Sequence, residues 1–191
     1  MMKNIAIFAS GNGTNAEQLV HHFAHHAKAR VALILTNRSS AFVLQRAERL
    51  GVPAYFFHKE QWAEGTEIIE MLRRYAIDFV VLAGFLARVP DCVLQRFPQR
   101  MVNIHPSLLP KFGGKGMYGD RVHQAVLDAG EKESGITIHY TNQHYDEGAI
   151  ICQERCPVWP DDTFDTLAAR VHQLEYAHYP RVVDELVSAL E

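Results

Sequence analysis

The sequence predicts an α/β protein, a doubly wound and mostly parallel twisted sheet of about seven strands with helices on both faces. Two observations carry this expectation. Short apolar runs alternate with stretches of helical periodicity through the first hundred residues, the order that builds parallel sheets. The first such run passes through a glycine-rich turn directly into a helical stretch, which is how a βα unit begins.

The elements follow in order. Asn4 to Ser10 (NIAIFAS) is a short apolar strand; Gly11 to Asn15 (GNGTN) is the turn, and Ala16 to Ala27 is helical. Val31 to Thr36 is a second buried strand, Ala41 to Leu50 a helix stopped by Gly51, and Ala54 to Phe57 a third strand. Ile68 to Tyr75 reads as helix, Phe79 to Ala83 as strand, Asp91 to Phe97 as a short helix and Met101 to His105 as the fifth strand. Beyond a glycine-rich loop, Arg121 to Ala129 is helical, and Gly135 to Tyr140 and Ala149 to Pro157 are two more strands. The last helix is expected from about Thr163 to Tyr176, with Asp162 as N-cap and Pro180 beyond its end. Phe8, Phe23, Phe42 and Trp62 sit at apolar positions and are expected in the core.

Composition bounds the function. With 191 residues, 48% apolar and 21% charged, the chain fits one domain over 1–191 around a single sizeable core. The formal charge is 19 − 22 = −3 with no block of like charges, so nucleic acid is not an expected partner. No apolar run approaches the roughly 20 residues a membrane helix needs. Cys92, Cys152 and Cys156 have no metal-ligand spacing, and the first residues start a strand rather than a leader, so a reducing cytoplasm is expected. Cys152 and Cys156 read as packing residues on a strand, an exposed Cys156 being open to oxidation.

The chemistry concentrates after position 100. Side chains on a strand alternate faces, so Asn103 and His105 point the same way. Pro106 disfavours helix at His105, which ends the strand with an imidazole at its carboxyl edge, where open α/β sheets bind their ligands. An isolated Asn-x-His can equally be a buried pair satisfying backbone groups. The GNGTN turn can present backbone N–H groups to an anion at a helix N-terminus. It matches neither the dinucleotide fingerprint nor a P-loop, which suggests a monophosphate; an ordinary tight turn has the same look. Asp146, in the loop YDEG between the two late strands, is the acid best placed to orient His105.

Taken together, SGNGTN (Ser10 to Asn15), VVLAGF (Val80 to Phe85), NIHPSLLPKF (Asn103 to Phe112), the D-x-G of Asp146 to Gly148, the Q-x-x-x-P of Gln153 to Pro157 and RVHQLEYAHYP (Arg170 to Pro180) are highly specific. The chain resembles, end to end, the phosphoribosylglycinamide formyltransferase family of folate-dependent enzymes. That resemblance implies a Rossmann-like formyltransferase fold and transfer of a formyl group from 10-formyltetrahydrofolate, as co-substrate, to the amine of N1-(5-phospho-D-ribosyl)glycinamide in purine synthesis. It implies that His105 carries the proton, that Asn103 hydrogen-bonds the formyl oxygen, and that Asp146 orients His105 and raises its pKa. Gly11, Asn12, Gly13, Thr14 and Asn15 would hold the substrate phosphate and Glu175 would contact the substrate. The folate would lie against Leu86, Ala87, Arg88 and Val89, and against Asn103, Thr141 and Asp146. The N-terminal half would be phosphate-binding, and the C-terminal half catalytic and folate-binding. Partners would be small molecules, with the chain a monomer or homodimer and no metal required.

Formyltransferases acting on methionyl-tRNA or sugar nucleotides share the HPSLLP block but normally carry a further domain, so the small ribonucleotide is the expected acceptor. The chain departs from many relatives in two places. The loop Gly113 to Gly119 (GGKGMYG) is unusually rich in glycine, readable as a lid or as a solvent-exposed insertion. Lys59 to Glu67 offers only Lys59 where many members have a folate-contacting arginine. His21, His22, His25 and His26 could pair across one helix turn around a metal, but a solvated helix is the simpler account. His123, in the helix after the glycine-rich loop, can face the site, although helical histidines are more often surface residues. A non-catalytic binder of phosphate ligands on the same fold is the alternative to an enzyme.

Overall fold

The protein is described by a computed structural model over residues 1–190; Glu191 lies outside the described residues. The strands are β1 (Lys3–Phe8), β2 (Ala29–Thr36), β3 (Ala54–Phe56), β4 (Phe79–Leu82), β5 (Met101–His105), β6 (Glu133–Tyr140) and β7 (Ile150–Pro157). Between and after them run α1 (Thr14–Phe23), α2 (Val43–Leu50), α3 (Lys59–Glu64), α4 (Thr66–Arg74), α5 (Asp91–Arg96), α6 (Asp120–Asp128) and α7 (Phe164–Ser188). The strands form one sheet in the order β3-β2-β1-β4-β5-β6-β7. Pairing is parallel from β3 through β5, while β6 and β7 are antiparallel additions. This is the doubly wound, mostly parallel sheet the alternation predicts.

Period-two alternation splits the apolar residues between two cores. Ile5, Ile7, Phe79, Val81, Val102, Ile104, Ile136 and Ile138 pack under α1 and α7, with Leu19, Val171, Tyr179 and Val183. Ala6, Phe8, Val80, Leu82 and Met101 pack on the opposite face under α3, α4 and α5, with Trp62, Ile68, Leu72, Val93 and Phe97. Because Ile104 faces the first core, Asn103 and His105 share the second face, together with Thr137 and His139 opposite them on β6.

Several boundaries differ from expectation for physical reasons. The last helix does not end at Tyr176; it runs to Ser188 with Pro180 inside it. Proline removes one helical N–H, but Tyr179, Pro180, Val182, Val183 and Val187 are all buried, and packing outweighs the propensity penalty. Its N-cap is Thr163, whose hydroxyl accepts from the Thr166 N–H at 3.3 Å. Asp162 is instead paired in a bidentate contact with Arg170 at 2.8 and 2.9 Å, and that hydrogen bonding holds its carboxyl far below the usual range. The segment Lys59 to Glu64, not expected to be helical, forms α3 and drops Trp62 into the second core. Phe42 is 41% exposed rather than core, and the guanidinium groups of Arg46 and Arg49 lie 5.2 and 5.6 Å from its ring centre. Cys156 is buried rather than exposed. No described helix is long and apolar enough to cross a membrane.

Tyr179 ties α7 to the ends of the central strands. Its side chain is fully buried, and its hydroxyl donates to the Leu82 carbonyl at 2.8 Å, with the Val102 carbonyl 3.4 Å away. Tyr179→Phe removes this buried hydrogen bond, so urea denaturation should show a loss of about 0.5–1.5 kcal/mol with an unchanged circular dichroism spectrum.

Candidate active site

The site grows from the junction between the last parallel strand and the first antiparallel one. In the β5·β6 ladder Asn103 pairs with His139 and His105 with Thr137, which sets four polar side chains on one face at the carboxyl edge of β5. The chain after His105 is pinned from below. Thr137 Oγ1 donates to the Ser107 carbonyl at 2.7 Å and accepts from the Leu109 N–H at 3.0 Å, while Gln153 Nε2 donates to the Leu109 carbonyl at 3.0 Å. These bonds curl the HPSLLPKF segment back so that the Phe112 carbonyl accepts from His105 Nε2 at 2.8 Å.

That last bond fixes the tautomer. A carbonyl can only accept, so Nε2 carries the hydrogen and the Nδ1 lone pair of neutral His105 faces Asp146 Oδ2, 3.5 Å away. The same reasoning applied to His139, whose Nδ1 lies 2.9 Å from the Tyr140 carbonyl, leaves its Nε2 to accept from Asn103 Nδ2 at 3.2 Å. The second hydrogen of the Asn103 amide reaches Asp146 Oδ1 at 3.4 Å, near the limit of a hydrogen bond. Asp146 also accepts from the Gly114 N–H at 2.9 Å. It adopts φ +57°, a left-handed conformation that aspartate tolerates better than most side chains. Nearby, Gly148 is obligatory, since a Cβ there would overlap the Tyr140 carbonyl oxygen.

Burial decides the charge states. It pushes the His105 pKa below its ordinary value, outweighing the opposing pull of Asp146 and the Phe112 carbonyl. Asp146 does raise the His105 pKa, but desolvation is the larger effect and the net shift is downward. For Asp146 burial pushes upward, and the neighbouring His139 and His105 together with the Gly114 N–H bring it below the usual carboxylate value. At neutral pH the pair is a neutral imidazole beside a carboxylate.

The GNGTN turn lies at the carboxyl end of β1. The carbonyls of Gly11, Asn12 and Gly13 accept from the Val43 N–H (3.1 Å), Arg46 Nε (2.8 Å) and the Glu17 N–H (3.0 Å) respectively. Among the described residues, the N–H groups of Asn12, Gly13 and Thr14 find no protein acceptor. Gly13 has φ +79°, and a Cβ on it would run into Val43. Next to the turn, Glu175 Oε2 accepts from Asn15 Nδ2 at 2.8 Å and pairs with His172 Nδ1 at 2.9 Å, and this hydrogen bond raises the His172 pKa. His123 is buried, and burial followed by the neighbouring His172 lowers its pKa.

All these groups open on one cavity of about 850 Å³. Its lining includes Gly11 to Asn15, Leu86 to Val89, Asn103, His105, Thr141, Asp146 and Glu175, together with the glycine-rich loop from Gly114 to Gly119. Lys59, at the start of α3, is not part of the lining. Three buried polar atoms in the wall, Asn15 Oδ1, His123 Nδ1 and Thr141 Oγ1, have no hydrogen-bond partner, and such atoms call for a polar ligand.

A protein-family model described as formyl transferase matches residues 3–183. The phosphoribosylglycinamide formyltransferase of Bacillus subtilis is 38% identical over 191 residues, covering 97% of this chain and 95% of the relative. This chain belongs to the formyl transferase family. The chloroplastic phosphoribosylglycinamide formyltransferase of Arabidopsis thaliana is 40% identical over 188 residues; the chain spans 64% of that relative's length. Among solved structures, phosphoribosylglycinamide formyltransferase from Streptococcus pneumoniae superposes with a TM-score of 0.86 at 37% identity, covering 97% of this chain and 99% of that one.

Two lining residues, His139 and His172, are not singled out by the sequence reading as site residues. His139 was detectable: in GITIHY the polar Thr137 and His139 alternate with isoleucines, and polar residues on a strand whose other face is apolar mark a pocket. His172 carries no local signal, because helical histidines are ordinarily surface residues, whereas His123 does face the cavity. The histidines near the end of α1 find a structural partner, with His22 and His26 Nε2 at 2.9 and 3.2 Å from the Asp184 carboxylate on α7. Among the described residues no group of His, Cys, Asp and Glu could hold a metal ion.

Because Asp146 raises the His105 pKa against a larger burial effect, Asp146→Asn should move the His105 midpoint further down. An imidazole titration by NMR on wild type and variant checks the sign; an upward movement contradicts the assignment.

Proposed function

We propose that this formyl transferase moves the formyl group of 10-formyltetrahydrofolate to the amine of N1-(5-phospho-D-ribosyl)glycinamide. One observation carries the reading: a turn with unpaired backbone N–H groups and the Asn103, His105, Asp146 cluster share a single cavity, large enough for two small substrates. The relatives' names point to the same acceptor.

In this reading the phosphate sits on Asn12, Gly13 and Thr14 at the positive end of α1, and Glu175 with Asn15 contacts the ribose side. The folate occupies the wall made by Leu86 to Val89 and Thr141. The neutral amine attacks the formyl carbon, a new C–N bond forms, and negative charge collects on the formyl oxygen. Asn103 meets it by exchanging its long 3.4 Å bond to Asp146 for the oxygen, keeping its bond to His139. His105 Nδ1 takes the proton the amine loses, and Asp146 stabilises the imidazolium formed. The C–N10 bond then breaks and the proton ends on N10, giving tetrahydrofolate and the formylated amide. Proximity in one cavity supplies much of the rate, without a covalent intermediate or a metal.

The loop Gly113 to Gly119, which lines the cavity and is tethered to Asp146 through the Gly114 N–H, serves as a lid in this reading. The cysteines are free thiols, which suits the cytoplasm we assign to the protein; we assign small-molecule partners only, and a monomer or homodimer.

Absorbance-monitored turnover tests the proposal. Wild-type protein should release tetrahydrofolate only when the ribonucleotide is present. Asn103→Ala should lower kcat about a hundredfold to a thousandfold, and His105→Ala about a hundredfold or more. Donor breakdown without acceptor would mean a hydrolase, and no turnover would leave a phosphate-ligand binding module.

A further inference from the structure

Arg46 on α2 lies outside the cavity lining, yet it holds the phosphate turn from behind. Its Nε donates to the Asn12 carbonyl at 2.8 Å, its Nη2 to Asn12 Oδ1 at 2.7 Å, and its Nη1 to the Glu17 carboxylate. Its face stacks against Phe42. With its three nitrogens each engaged by the turn or by Glu17, and no place in the cavity lining, any part it plays is indirect.

The geometry of the peptide unit shows what that part is. In a trans peptide the C=O of one residue and the N–H of the next point in opposite directions. Fixing the Asn12 carbonyl toward α2 therefore aims the Gly13 N–H the other way, into the cavity. The neighbouring peptides are set by the same device: the Val43 N–H holds the Gly11 carbonyl and aims the Asn12 N–H, and the Glu17 N–H holds the Gly13 carbonyl and aims the Thr14 N–H. Of the three anchors only the one on Asn12 is a side chain, and it is charged. It also grips Asn12 Oδ1 and, through Glu17, the first turn of α1.

We infer that Arg46 is a positioning residue that pre-sets the Asn12–Gly13 peptide so that successive N–H groups converge on the substrate phosphate. The inference rests on the proposed reading of this turn as the phosphate cradle. Arg46 thus governs binding of the phosphorylated substrate and leaves the formyl chemistry at His105 alone. Lysine cannot replace it, because a single ammonium on a flexible stem cannot reach the two Asn12 oxygens and Glu17 in one fixed fork.

The test uses inorganic phosphate as the probe, followed by the amide resonances of Asn12, Gly13 and Thr14 in isotope-labelled full-length protein. Phosphate should shift these amides saturably in wild type and in Arg49→Ala, which removes the other cation on Phe42 but touches no part of the turn. Arg46→Ala and Arg46→Lys should bind phosphate roughly tenfold or more weakly, as loss of charge-assisted bonds demands. In turnover both variants should raise KM for the ribonucleotide while KM for the folate donor and kcat stay near wild type. Wild-type phosphate affinity in Arg46→Lys, an equal loss in Arg49→Ala, no amide shift in wild type, or a fall confined to kcat would each overturn the inference. Should Arg46→Ala fail to fold, Arg46→Lys decides alone. Weakened phosphate binding in the variants together with no ribonucleotide turnover in wild type would keep the role of Arg46 and reject the proposed substrate.

Discussion

Burying a carboxylate is costly unless charged or N–H partners surround it, and the partners of Asp146 are the candidate site itself. His105 and His139 flank it, the Asn103 amide leans on it, and the Gly114 N–H ties the glycine-rich loop to it. One ionised side chain thus organises both strand residues, the partner strand and the loop that borders the cavity. The left-handed backbone at Asp146 and the close approach at Gly148 are the local features of the turn that delivers it there.

The sheet order explains why two binding regions meet. In β3-β2-β1-β4-β5 the direction of winding reverses between β1 and β4, and loops leaving neighbouring carboxyl ends diverge there to open a crevice. The GNGTN turn leaves β1 on one side of it, and the catalytic candidates leave β5 and return on β6 on the other. The proposed division into a phosphate-binding N-terminal half and a catalytic C-terminal half is crossed by α7, whose Glu175 reaches Asn15. The long helix can do this because it continues through Pro180 over the core.

How much of this was legible in the sequence follows from the range of the forces involved. Strand alternation placed Asn103 and His105 on one face, and glycine chemistry placed the anion-ready turn, because both signals are local. The Pro180 error was the reverse case: a local breaker was overruled by burial of five residues that only the tertiary structure brings together. Asp162 reads locally as a cap, but Arg170, further along inside α7, engages it instead. His139 was readable in principle from its strand pattern. Arg46 was not, since nothing near it in sequence announces that it grips a turn 34 residues away.

The protonation states divide the cavity by charge. Burial holds His105 and His123 toward neutrality, whereas the hydrogen bond to Glu175 pushes His172 toward its charged form. At the Glu175 end the helix terminus and the unpaired N–H groups favour an anion. The opposite end keeps a neutral imidazole next to a carboxylate, which can accept a proton from an attacking amine without having to discard one first. A raised His105 pKa would fill Nδ1 in advance and remove that capacity at neutral pH. In the proposed reaction, desolvation of His105, which opposes the pull of Asp146, is thus what leaves Asp146 free to stabilise the imidazolium only once the proton has arrived.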